Sequence, residues 1–146
     1  MSLVVFAEQP APLAGMGYPP DDTDWRELHE RGFRLVVRLH RGDDYDPAPL
    51  SVRDIQLEDL YGGATPTDPA AEAGRIRQAA LIAADAVERG DGVIVHCLGG
   101  TGRTGTVVAC ALRLLGRSAE ESIETVQAHR PRWPESPWQE EFVRSG

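Results

Sequence analysis

The sequence predicts an α/β fold, a central sheet flanked by helices, as a single domain over residues 1–146. Three features predict it. β-rich apolar runs ("FRLVVRLH", 33–40; "DGVIVH", 91–96) alternate with helical patterns. The second run leads through a glycine-rich turn into an almost wholly apolar helix. The chain then closes on consecutive helices. At 146 residues and 41% hydrophobic content it is long enough to bury a core without disulfides.

Taken in order, "SLVVF" (2–6) reads as an edge strand, and the Pro/Gly-rich "PAPLAGMGYPPDD" (10–22) as a loop. "DTDWRELHERG" is a capped helix: Asp22 or Asp24 is the N-cap, Trp25, Leu28 and His29 form the inner face, and Gly32 ends it. "FRLVVRLH" is a buried strand, "RGDDYDPAPL" (41–50) turn chemistry, and "VRDIQLEDL" (52–60) another strand. "YGGATPTDP" (61–69) is an Ω-type loop. Ile76, Ala79, Ala80, Ala83 and Val87 recur at helical spacing through 70–90, with Gly90 past the end. "DGVIVH" is the central strand, "TGTVVACALRLLG" (104–116) a buried helix, and "SAEESIETVQAHR" (118–130) a helix opened by a Ser118/Glu121 capping box. "PESPWQEEFVRSG" supplies a last short helix. Trp25, Trp133 and Trp138 read as packing residues.

A net charge of −8 argues against nucleic-acid and membrane-surface partners, and any anion site must be built locally. Cys97 and Cys110 are too few for a disulfide framework, and His29, His40, His96 and His129 are scattered, so neither a metal nor a cofactor is expected. "MSLVVFAEQP" lacks a basic leader region and no run reaches transmembrane length, which reads as a cytoplasmic protein with reduced thiols; a monomer is expected.

Against that background "VIVHCLGGTGRTG" (93–105) stands out. Cys97 ends a strand and Arg103 follows at the spacing C-x5-R. A strand that turns tightly into a helix N-terminus aims successive backbone N–H groups at one point. Leu98, Gly99, Gly100, Thr101 and Gly102 form such a loop, and Arg103 adds a planar fork for two phosphate oxygens. The helix end and Arg103 both favour a thiolate at Cys97, and the Thr104 hydroxyl can donate to the same sulfur. Cys110 has Gly116 six residues on and apolar neighbours, the pattern of core filler.

"HCLGGTGRTG" resembles the signature loop of cysteine-dependent protein phosphatases of the compact dual-specificity-like kind. The resemblance is strongest over 91–115 and extends more weakly from Trp25 to Phe142. It implies a phosphate-binding loop between the central strand and a buried helix, attack by Cys97 on phosphorus, and a cysteinyl-phosphate intermediate. It also implies an aspartic acid that protonates the leaving oxygen, because an alkoxide or phenolate leaves poorly. Asp59 is the first candidate by its strand-end position, Asp68 its rival and Glu58 a distant third. His96 would orient the loop, or simply be a satisfied core histidine. Gln139 resembles the glutamine that positions the hydrolytic water in some relatives, with an ordinary surface helix residue as its alternative. His40, Arg41 or Tyr45 could border the cleft. The expected substrate is a phosphotyrosyl protein, with phosphoserine and phosphothreonine open. The signature loop has no lysine, which disfavours a highly phosphorylated inositide. Two other readings compete: a phosphate- or phosphoprotein-binding module with little turnover, and a sulfurtransferase or arsenate reductase with Cys110 as resolving thiol.

Overall fold

Five strands make one mixed sheet in the computed structural model, which describes residues 3–40 and 45–145. They are β1 (Val4–Ala7), β2 (Leu13–Met16), β3 (Phe33–Arg38), β4 (Ser51–Asp54) and β5 (Gly92–His96), in the spatial order β1-β2-β5-β3-β4. Only β1 runs antiparallel to its neighbour. Five α-helices accompany them: α1 (Trp25–Glu30), α2 (Pro69–Glu88), α3 (Gly102–Leu114), α4 (Ala119–His129) and α5 (Pro137–Ser145).

β5 is central and buried along its whole length, as its continuous apolar run requires of a strand covered on both faces. Successive side chains point to opposite faces, so Val93 and Val95 join one core and Ile94 the other. The Val93/Val95 face packs on α2 and α3, with Val126 of α4 and Val143 of α5 in the same core. The Ile94 face packs with Leu28 of α1, Phe33, Val36 and Leu50. Stacking helices on both sides of β5 leaves its C-terminal end as the opening, where ligands of parallel sheets gather.

Two expectations need correction. The segment 10–22 is not all loop, because Leu13–Met16 is a strand wedged between β1 and β5, in register Leu13↔Val93 through Met16↔His96. All four of its residues are buried, so it shows no alternation, and its flanking Pro and Gly residues mask it. The strand expected over 52–60 ends at Asp54. Beyond it the chain still follows β3 through Ile55 N–H to Arg38 O (2.9 Å) and Leu57 N–H to Leu39 O (3.0 Å), then turns away.

The caps are those the residue types allow. Asp24 accepts from Glu27 N–H at the start of α1. Ser118 and Glu121 form the reciprocal box on α4. Asp68 is the N-cap of α2, its Oδ1 accepting from Ala71 N–H at 3.2 Å, with Pro69 as the first helical residue. Among the described residues, no helix is long and apolar enough to cross a membrane.

Candidate active site

The loop from Cys97 to Thr101 joins the end of β5 to the start of α3. Gly100 makes its tight return. Its φ is +78°, and a Cβ there would lie 2.6 Å from Gly17 N, so only glycine fits. The Tyr18 N–H donates to Leu98 O at 3.0 Å, which ties the loop to the segment after β2. The strand missed in the sequence also seats Thr104: a Cβ at Gly15 would strike Thr104 Cγ2 at 2.7 Å.

Cys97 is 2% exposed at the floor of this loop. Its Sγ accepts from the Gly100 N–H at 3.2 Å and from the Thr104 hydroxyl at 3.1 Å. Both donors stabilise negative charge on sulfur, as does the N-terminus of the thirteen-residue α3. Arg103, in the first turn of α3, has its side chain 10% exposed, Nη1 donating to Leu57 O at 3.5 Å and Nη2 4.0 Å from Asp59 Oδ2.

The three candidate acids separate cleanly. Asp59 is 56% exposed and faces Arg103, with Oδ1 accepting from Tyr61 N–H at 3.1 Å. Asp68 caps α2. Glu58 accepts from the Thr67 N–H and hydroxyl, at 2.9 and 3.0 Å. Gln139 is not a surface residue: it is 2% exposed, its Oε1 accepts from the Glu135 N–H at 2.9 Å, and it borders a small cavity that Arg103 also lines. That bond helps to shape the turn before α5.

Two neighbours of the loop carry no sequence signal. Arg130, 5% exposed, donates from Nε to Gly100 O at 2.9 Å and so braces the loop from outside. Burial holds its guanidinium below the ordinary arginine value, opposed by the nearby Cys97. The Glu135 carboxylate packs against Gly102 at the first turn of α3. Gly99, Thr101, Arg130, Pro131, Arg132 and Glu135 line a recess of about 390 Å³ beside the loop.

Behind the loop, His96 is fully buried, and its ring meets the Tyr45 hydroxyl at Nε2 and Cys97 O (3.3 Å) at Nδ1. Burial pushes the imidazole down to about 4 from 6.5, so it is neutral; Nδ1–H then donates to the carbonyl and Nε2 accepts from Tyr45. Trp25 stacks on Tyr45 with ring centroids 5.4 Å apart, and Tyr18 sits edge-on to both Tyr45 and His40. The Tyr45 hydroxyl thus donates to His96. Arg41 lies outside the described residues.

The neutral histidine gives a stability signature. Between pH 6.5 and about 4 the unfolded chain binds a proton that the folded His96 refuses. Stability therefore falls as pH drops through that window and levels off below it, by about 3 kcal/mol at most. Urea unfolding at pH 7 and pH 4.5 checks this. His96→Gln should flatten the pH dependence relative to wild type, whatever its own stability at pH 7; an unchanged slope would rule the account out.

Cys110 lies eight residues along α3 from Gly102, about 12 Å at the helical rise, facing Ala80, Leu114 and Phe142. Burial pushes its thiol up to about 12. It is badly placed and badly ionised for resolving a bond at Cys97. No cluster of three or more His, Cys, Asp or Glu able to hold a metal occurs among the described residues.

The same architecture occurs in solved structures. Tk-PTP in its active form is 26% identical, with a TM-score of 0.68 over 90% of this chain and 88% of its own. Human DUSP28 superposes with a TM-score of 0.76 at 20% identity, over 97% of this chain and 90% of its own. PTPMT1 in complex with PI(5)P gives 0.69 at 19%, over 97% and 92%. The last two share the fold. The family model for PTP-SAK, described as "Swiss Army Knife protein, DSP-PTPase phosphatase domain", matches residues 7–143. With the C-x5-R loop closing around a buried cysteine, that match over nearly the whole chain assigns it to the DSP-PTPase family of cysteine-based phosphatases.

Proposed function

We propose that this chain hydrolyses phosphotyrosyl proteins through a cysteinyl-phosphate intermediate. The observation that carries the proposal is the convergence of the Gly100 N–H and the Thr104 hydroxyl on Cys97 Sγ; Arg103 and Asp59, 4.0 Å apart, support it. In the first step the Cys97 thiolate attacks phosphorus, and an S–P bond forms as the ester P–O bond breaks. Arg103 and the amides of Leu98 to Gly102 stabilise the equatorial oxygens. Asp59 gives its proton to the departing oxygen. In the second step the Asp59 carboxylate takes a proton from water, whose oxygen attacks phosphorus. The S–P bond breaks, phosphate leaves, and the thiolate is regenerated with Thr104 donating to it.

Two exposed apolar side chains support a phosphotyrosyl ring over a smaller alcohol: Leu98 on the loop, 54% exposed, and Tyr61 two residues after Asp59, 77% exposed. An inositide head group is a second reading, favoured by Arg130 and Arg132 in the recess beside the loop and by the likeness to PTPMT1 in complex with PI(5)P. Glu135 in that recess opposes extra phosphates. The test is turnover of a phosphotyrosyl peptide, a phosphothreonyl peptide and PI(5)P side by side, in EDTA. Phosphotyrosine should be fastest, and vanadate should compete with it. A preference for PI(5)P would select the second reading, and a metal requirement would refute the cysteine mechanism.

A further inference from the structure

Glu72, in the first turn of α2, is 1% exposed. A buried carboxylate is costly unless its oxygens are satisfied. Here Oε2 accepts from the Glu58 backbone N–H at 2.9 Å and Oε1 from Arg75 Nη2 at 2.8 Å. Glu58 in turn holds the N–H and hydroxyl of Thr67, nine residues on. The residue before Asp59 is therefore fixed through both its backbone and its side chain. On the other side, Tyr61 N–H bonds Asp59 itself, and Gly63 N–H donates to Glu135 O at 3.0 Å. Glu58, Glu72 and Arg103 also border one small common cavity. A leucine at position 72 would fill the same space at lower cost, but it could not accept the Glu58 N–H.

We infer that Glu72 is a positioning residue for leaving-group protonation. With the Glu58–Thr67 clamp it holds Asp59 beside Arg103 before substrate arrives. The inference rests on Asp59 as the acid.

The experiment compares kcat/KM on phenyl phosphate, whose leaving group needs a proton, with p-nitrophenyl phosphate, which needs one much less, and measures vanadate inhibition. Glu72→Ala should lose at least about tenfold on phenyl phosphate, less than about threefold on the activated ester, and no vanadate affinity. Thr67→Val, at an exposed position, should show the same pattern more weakly. Glu72→Gln, which keeps one acceptor for Glu58 N–H, should fall between Glu72→Ala and wild type. Adding Glu72→Ala to Asp59→Asn should cost almost nothing further, since both act through one group. Equal losses on the two esters, a parallel loss of vanadate affinity, or additive effects in the double variant would overturn the inference. Should Glu72→Ala fail to fold, Thr67→Val and Glu72→Gln decide by the same criteria. If Asp59→Asn itself spares phenyl phosphate, the acid assignment fails and this inference with it. If Asp59→Asn damages phenyl phosphate and the Glu72 and Thr67 variants do not, only this inference fails.

Discussion

Cys97→Ser should bring turnover below detection while leaving phosphate binding near the wild-type level. The hydroxyl is not ionised at neutral pH and is a far weaker nucleophile than a thiolate. The cradle does not depend on sulfur: Arg103, the loop amides and the Arg130 brace on Gly100 O all persist in the variant. Cys110→Ser is the matched control. Its thiol faces an apolar groove and is held protonated by burial, so a hydroxyl there should cost about 1–3 kcal/mol of stability and leave kcat unchanged. Steady-state kinetics with phosphate-binding titration and urea melts separate the two. If both variants keep turnover, or both lose it alike, the nucleophile has been misassigned.

What could be read from the chain depended on how local each feature is. The loop was legible because its nucleophile, amides, arginine and hydroxyl fall within eight consecutive positions, and each is needed for its own chemistry. β5 and α2 were legible because their apolar patterns run the length of the element. β2 was not, since its four residues become a strand only by pairing with Val93–His96, about 80 residues away. Arg130 and Glu72 were invisible for a related reason: a single arginine after a helix, or a lone glutamate in a first helical turn, shows nothing until the fold brings it to Gly100 O or Glu58 N–H. The rivalry between Asp59 and Asp68 carried an overlooked local signal. Asp68 stands immediately before Pro69 and a long helical pattern, which is where an N-cap belongs.

That distinction sets the second large effect. Asp59→Asn should cut turnover of an aryl phosphate with a poor leaving group by roughly two to four decades, the usual worth of a positioned general acid. Asparagine keeps the shape and can still accept from Tyr61 N–H through its carbonyl, so the segment should hold its course and the loss should reflect the missing proton. The damage to p-nitrophenyl phosphate should be smaller in the first step. The fall in rate at high pH, which records an acid giving up its proton, should flatten in this variant. Asp68→Asn provides the counter-test, because asparagine caps a helix about as well as aspartate and Asp68 already spends Oδ1 on Ala71 N–H. It should change neither the rate nor the pH profile, whereas Asp68→Ala should lower stability by about 1 kcal/mol with the rate intact. Loss of the high-pH fall in Asp68→Asn, with Asp59→Asn unaffected, would transfer the acid role to Asp68 and require α2 to begin later in the active form. Wild-type turnover too slow for either substitution to matter would favour the binding-module reading, because Cys97, Arg103 and the loop amides suffice to hold a phosphate without a proton donor.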